Sequence, residues 1–316
     1  MKKIKIKAPV NSLQSAKMQI AAGAEEIYLS YSSNDINALS FSGRGKESFN
    51  KIKTQMRYEE FQEIIEFAHQ HNVFVDLAAN VPMSGNSENP ENSFHKKYLE
   101  YVERAIQAGV DGVIVGDLGN LYMLQDYKNK IRLTAGVFFG TLNCSQIELL
   151  ENLGAKKVCL PHHFSIKEIA DIVKKSNIDV EIFGHFGCSF IESTCSLYHH
   201  ASEEIDFGIP CRAKYCVRHS KKLVNILDMG EDCSLCQMEQ ILKTGITSIK
   251  IIGRELDCKL SSTITYVYNF MLQKLYEGMS IQDTLSLIKK NIDFSFWQKN
   301  FCDVNRCKYV NSQYYI

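Results

Sequence analysis

The sequence predicts an α/β protein folded as a (β/α)8 TIM-like barrel, with a cysteine-rich loop after the seventh strand. Three observations predict it. First, a helical segment, a stopping glycine and a short β-branched run recur as AAGAEEIYLS (21–30), QAGVDGVIVG (107–116), NLGAKKVCLP (152–161) and KTGITSIKII (243–252). Second, the glycines of these copies, Gly23, Gly109, Gly154 and Gly245, fall at one or two multiples of roughly 45 residues, as repeated βα units would. Third, the long connections 31–56, 80–92 and 186–240 each follow a strand. In a barrel those connections build the C-terminal face, where active sites sit.

The elements then follow in order. KIKIKAP (3–9) is the first strand, and the first helix stops at Gly23 before the strand around Tyr28 and Leu29. Phe61, Ile64, Ile65 and Ala68 have the i, i+3, i+4, i+7 spacing of a helix that leads into VFVDLAA (73–79). Phe94, Tyr98, Val102 and Ile106 mark the next helix, before DGVIVGD (111–117). RLTAGV (132–137), the strand before Pro161, VEIFGH (180–185) and the strand after Gly245 complete eight, each largely apolar, as a strand covered on both faces must be. An open doubly wound sheet is the runner-up, but no Gly-rich phosphate turn follows the first strand. The barrel is expected over 1–279, including the loop 186–240, with 280–316 as a C-terminal helix and tail packed against it.

The 316 residues are 45% hydrophobic and 23% charged, enough to bury a full core. Lys+Arg and Asp+Glu are 36 each, so no global field draws the chain to nucleic acid, although a local basic patch is compatible with this balance. MKKIKIKAPVNS lacks the apolar run of a signal peptide, and no segment approaches the roughly 18 apolar residues needed to cross a bilayer. A cytoplasmic protein is expected. Its 11 cysteines are then read as packing, metal-binding or redox thiols rather than disulfides.

Cys188, Cys195, Cys211 and Cys216 follow closely on the seventh strand. Four thiolates are what a [4Fe–4S] cluster needs, one per iron; zinc is the alternative on spacing alone. Cys233 and Cys236 add a pair with the two-residue spacing of a metal knuckle. Cys144, Cys159 and Cys258 are read as buried small residues, and Cys302 and Cys307 as packing. His185 ends the seventh strand three residues before Cys188, as a proton donor or as support for the loop. His162 and His163 end the sixth strand and either line the pocket or face solvent. Arg44, Arg254 and Lys250 are candidates for holding a carboxylate or phosphate; barrel-end ion pairs with Asp117 or Glu255 are the plainer alternative. No Ser/His/Asp order or HExxH helix is present.

These residues resemble the peptidase U32 family. Ala8-Pro9, Ala22-Gly23-Ala24-Glu25, Tyr28-Leu29, Phe41-Ser42-Gly43-Arg44 and Asp117-Leu118-Gly119 match its motifs in order. Glu181-x-Phe183-x-His185-x-x-Cys188, then Cys195, Cys211-Arg212-x-Lys214-Tyr215 and Lys250-Ile251-x-Gly253-Arg254 carry the strongest part. The resemblance runs from residue 8 to about 270. It implies an oxygen-sensitive [4Fe–4S] cluster and oxygen-independent hydroxylation of a small molecule or an RNA base, since similar members act on a tRNA wobble uridine, a ribosomal RNA cytidine and ubiquinone precursors, with prephenate implicated as oxygen source. It also implies a paralogous partner subunit, because members of similar length work as heterodimers. A hydrolase of the kind the family name describes, with a structural metal, is the alternative. Three positions depart from the pattern. Phe207 stands where an earlier cysteine is expected, which makes Cys216, ahead of Cys233 and Cys236, the fourth ligand. Ile252 replaces a glutamate at the mouth, and Tyr198-His199-His200 replaces small hydroxyl residues, which implies an altered pocket.

Overall fold

The computed structural model describes residues 3–32, 56–80, 94–188, 214–216, 223–254 and 256–310. Eight parallel strands close on themselves: β1 (Lys5–Pro9), β2 (Glu26–Leu29), β3 (Phe74–Ala79), β4 (Gly112–Val115), β5 (Arg132–Ala135), β6 (Lys157–Cys159), β7 (Asp179–His185) and, after a small hairpin, β10 (Ser248–Ile251). The hairpin pairs β8 (Tyr215–Cys216) with β9 (Leu223–Val224). β10 pairs β1 on one side and β7 on the other, which closes the ring. The α/β barrel expected from the sequence is the observed fold.

The helices wrap the outside: α1 (Leu13–Ala21), α2 (Tyr58–Gln70), α3 (Phe94–Gln107), α4 (Leu118–Met123), α5 (Cys144–Asn152), α6 (Ile166–Lys175), α7 (Met238–Thr244) and α8 (Cys258–Tyr276), with α9 (Ile281–Asn291) packed on α8. Phe61, Ile64, Ile65 and Ala68 are the buried face of α2, as their spacing requires. All four stop glycines adopt positive φ, +94° at Gly23, +101° at Gly109, +100° at Gly154 and +83° at Gly245. At Gly23 space adds a second constraint, because a Cβ there would lie 1.9 Å from Asn269 Nδ2.

The strands depart from expectation in their inward face. Rather than being uniformly apolar, they place Lys7, Glu26, Asp76, Arg132, Lys157 and Glu181 inside the barrel, all buried or nearly so. Lys7 Nζ lies 2.8 Å from both Asp76 Oδ2 and Glu181 Oε2. The Arg132 guanidinium grips both Glu26 oxygens, at 2.9 and 2.8 Å, and reaches Asp76 at 2.7 Å. Lys157 closes the network on Glu26 at 2.9 Å and on Ser248 Oγ at 3.0 Å. Three cations thus face three carboxylates. Burial alone would raise the Glu181 carboxyl, but Lys7, Lys157 and Lys250 outweigh it and hold it at about 2. Above this layer Tyr28, Ala78 and Ile114 form a small apolar plug of their own.

Beyond α9 the chain returns to the barrel. Trp297 and Phe301 are buried, and the backbone from Arg306 to Lys308 is sewn to the segment before α7 by Cys233 N–H to Arg306 O (3.0 Å) and Lys308 N–H to Cys233 O (2.8 Å). The Arg306 guanidinium pairs with Asp228 and Asp232. Among the described residues no helix is long and apolar enough to cross a membrane.

Candidate functional site

The C-terminal mouth of the barrel brings together Lys250 and Arg254, two of the cations singled out in the sequence. Lys250, on β10, is 8% exposed, with Nζ 4.4 Å above the Tyr28 ring and 4.0 Å from Glu181 Oε1. Burial lowers its ammonium toward neutrality against the pull of Glu181. Arg254, four residues on, lies half-buried near the same ring, 5.4 Å from its centroid, and donates to Ser30 Oγ at 3.3 Å. The Tyr28 hydroxyl is anchored on Ile251 O at 2.9 Å, so one aromatic face orients both cations.

His162 follows β6, which only β7 separates from β10. It is 2% exposed and stacks on Phe183 with ring centroids 3.9 Å apart and planes 9° apart. Its Nδ1 lies 2.6 Å from Nζ of Lys308, a fully buried lysine supplied by the C-terminal segment. Burial first, then Lys308, His163 and Lys250, hold the ring well below its ordinary range, so it is neutral. The neighbouring His163 is exposed and stacks on Phe164. The two histidines of one dipeptide therefore have different environments, one lining the interior and one facing solvent.

Asp117 is half-buried and caps α4, accepting from Asn120 N–H at 2.9 Å and from Asn120 Nδ2 at 2.5 Å. Burial raises its carboxyl, with the two cap bonds from Asn120 and Gly119 opposing. These are the contacts of a helix cap rather than of a ligand clamp.

His185 is turned away from the mouth. The β7–β10 register shifts between Lys250 and Ile251, which lets β7 carry one extra residue and swings the ring outward. It is fully buried among Phe186, Tyr268, Trp297 and Phe301, at centroid distances of 4.6, 5.6, 4.7 and 4.6 Å. Nδ1 contacts Tyr268 Oη at 3.3 Å, while Nε2 is buried without a hydrogen-bond partner. Burial holds the ring at about 3. A ring with no solvent contact that stays neutral supports the loop rather than shuttling protons, the second of the two roles its position allowed.

The cysteines separate. Cys188 is half-buried where the chain leaves β7, its carbonyl accepting from Met229 N–H at 3.2 Å. Residues 229–234 run back along 184–188: His185 bridges Cys233, Ser234 N–H bonds Gly184 O at 3.1 Å, and Gly187 N–H bonds Asp232 Oδ1 at 2.7 Å. That antiparallel pairing sets Cys188 beside Met229, at the opposite end from Cys233 and Cys236. Cys233 is buried, accepts from Trp297 Nε1–H at 3.3 Å and from Tyr268 O–H at 3.9 Å, and burial pushes its thiol up to about 12. Cys236 is exposed; burial of its thiol, then Cys307 and Cys302, push it up. Cys216 is exposed on the β8–β9 hairpin. Arg44, Cys195, Cys211 and Glu255 lie outside the described residues, and among the described residues no three His, Cys, Asp or Glu side chains form a metal-holding group. Sequence reasoning named Tyr28 and Phe183 as motif positions without giving them a role and did not single out Lys308; aromatic residues at inward strand positions were a signal for the first two.

A closed parallel barrel surrounded by helices, with a cysteine-bearing segment leaving the end of β7, defines a TIM-barrel protein. The sequence matches the model of peptidase family U32 over residues 11–305, and the chain belongs to that family. It is 27% identical over 308 residues to the uncharacterized protease MJ0090 of Methanocaldococcus jannaschii, covering 92% of this chain and 70% of that protein. It is 22% identical over 289 residues to the 23S rRNA 5-hydroxycytidine C2501 synthase of Escherichia coli (87% and 40%), and 20% identical over 259 residues to tRNA hydroxylation protein P of Escherichia coli (79% and 53%). The chain thus spans about half the length of the two hydroxylation relatives. Among solved structures, that of the U32 peptidase Mk0906 superposes with a TM-score of 0.52 at 12% identity, over 81% of this chain and 96% of that one, a likeness of fold.

Proposed function

We propose that this chain is an iron–sulfur enzyme, or enzyme subunit, of oxygen-independent hydroxylation, acting on a small molecule or a single RNA base that enters the barrel mouth. The observation that carries the reading is the join between the two halves of the site. Cys188 opens the cysteine-rich segment at the end of β7, the strand whose inward Phe183 packs on His162 and lies 5.8 Å from Lys250 Nζ. Relatives named for hydroxylation of ribosomal and transfer RNA support the chemistry.

Four thiols are the donor chemistry such a cluster takes. The thiols of Cys188, Cys195 and Cys211 would hold it together with Cys216 or Cys236, and Cys233 is set aside because it is enclosed, with burial pushing its thiol up to about 12. When bound, the cluster supplies electron transfer. The chain's own residues do the rest: Lys250 and Arg254 bind an anionic or carbonyl group over the Tyr28 face, and the neutral His162 orients it. Lys250, whose proton is loosened by burial, is the group suited to proton transfer at the mouth. His185 acts as a positioning residue that packs the base of the loop. A paralogous partner subunit belongs to this reading, and co-purification detects it.

The test compares a deletion strain with its parent by mass spectrometry of RNA nucleosides and of the small-molecule extract. The reading expects one nucleoside or metabolite to lose a single oxygen in the mutant. It fails if no such loss occurs and the purified protein instead cleaves peptides with zinc bound.

A further inference from the structure

We infer that Lys308 is a positioning residue that fixes His162 as the neutral tautomer with its proton on Nε2, so that the barrel mouth presents this histidine as a hydrogen-bond donor. Lys308 lies three residues beyond the region matched to the family, and nothing else in the sequence marks it. Its side chain is nevertheless among the most completely buried in the protein.

The argument is one of donors and acceptors. An ammonium carries three N–H donors and no acceptor, so the 2.6 Å contact between Lys308 Nζ and His162 Nδ1 makes Nδ1 the acceptor. A neutral imidazole with a bare Nδ1 carries its proton on Nε2. The doubly protonated ring is excluded, because it would set N–H against N–H and cation against cation. The Glu231 carboxyl lies within reach of Lys308's field: burial raises it, while Lys308 and the backbone N–H of Tyr309 oppose that rise. Among the described residues, Lys308 from the C-terminal segment, Lys250 from β10 and the neighbouring His163 act on His162, and Phe183 stacks on its ring.

The lysine is delivered rigidly. Its own N–H bonds Cys233 O at 2.8 Å, Arg306 is paired with Asp228 and Asp232, and Tyr309 O–H donates to Phe183 O at 2.9 Å. The C-terminal segment and the ring it orients are therefore clamped to the same strand, β7. The consequence for chemistry is specific: with Nδ1 taken up by Lys308, His162 does not serve as a base through that nitrogen.

The proposal deepens the reading of the mouth as the active site, but its test does not depend on that reading. In full-length protein labelled with nitrogen-15 at histidine, two-bond proton–nitrogen correlation spectra separate the two tautomers, and His162→Gln identifies the signal among nine histidines. The wild type should show the Nε2–H form in excess of about tenfold, the bias of one charge-assisted hydrogen bond. Lys308→Met should move that ratio toward an even mixture, and Lys308→Arg should keep the Nε2–H form. A wild-type spectrum with the proton on Nδ1 overturns the proposal, and so does a folded Lys308→Met protein with an unchanged ratio. Should Lys308→Met not fold, the wild-type and Lys308→Arg spectra still decide. Iron content and turnover do not enter this readout, so failure of the proposed function and failure of this inference are told apart.

Discussion

Replacing Lys7 by methionine probes the feature that most distinguishes this barrel, its ionic core. Lys7 Nζ is the common partner of Asp76 and Glu181 at 2.8 Å and of Glu26 at 3.4 Å, and its side chain has no solvent exposure. Methionine keeps the length and removes the charge, leaving three buried carboxylates against Arg132 and Lys157. Removing one member of a buried ion network costs about 3–5 kcal/mol, because the partners left behind remain desolvated. The pH dependence gives a second estimate. Glu181 titrates at about 2 in the fold against 4.5 when unfolded, which corresponds to about 3 kcal/mol of stability at neutral pH. The unfolded chain takes up that proton first, so this contribution is complete above about 4.5 and is lost as pH falls toward 2. Urea unfolding followed by circular dichroism at neutral pH should show the full loss in Lys7→Met, and the variant should lose less further stability on acidification than the wild type. A change smaller than about 0.5 kcal/mol, in the range of ordinary surface substitutions, would refute the reasoning.

Two further outcomes follow from the same structure. A Cβ at Gly112 would meet Asp76 Oδ1 at 2.3 Å and Arg132 O at 2.9 Å, so Gly112→Ala should displace the carboxylate and cost about 1–3 kcal/mol in the same assay; an unchanged midpoint contradicts this. His185 titrates at about 3 in the fold against 6.5 when unfolded, so its neutral burial is fully stabilising above 6.5 and loses ground as pH falls toward 3. Between pH 6.5 and about 5 the wild type should therefore lose about 2 kcal/mol more than His185→Asn; parallel pH profiles would show that the ring is not held neutral.

The scaffold was legible because its signals are local. Each helix stop is a glycine that needs positive φ, and the stripe Phe61–Ile64–Ile65–Ala68 is a property of one helix. The ionic core was less visible, because Lys7, Asp76 and Glu181 each look like an isolated charge until closure of the barrel brings them within 2.8 Å. An inward charge in one strand after another was the available signal, and the apolar residues on the outward face masked it. The placement of His185 hinges on a register shift between two strands far apart in sequence, which no local pattern encodes. The Lys308–His162 contact spans 146 positions, and the lysine sits in a tail that was expected to pack on the barrel but in which no motif marks this residue. His162 and His163, adjacent in sequence, were equivalent until the fold buried one and exposed the other.

The measurement closest to the central claim is iron and acid-labile sulfide analysis of protein purified without oxygen, for the wild type and for serine substitutions of Cys188, Cys195, Cys211, Cys216, Cys233 and Cys236. About four irons and four sulfides per chain are expected in the wild type, lost on changing Cys188, Cys195 or Cys211 and one of Cys216 and Cys236, and retained in Cys233→Ser. A colourless, zinc-loaded wild type, or iron content indifferent to Cys188, would contradict the account.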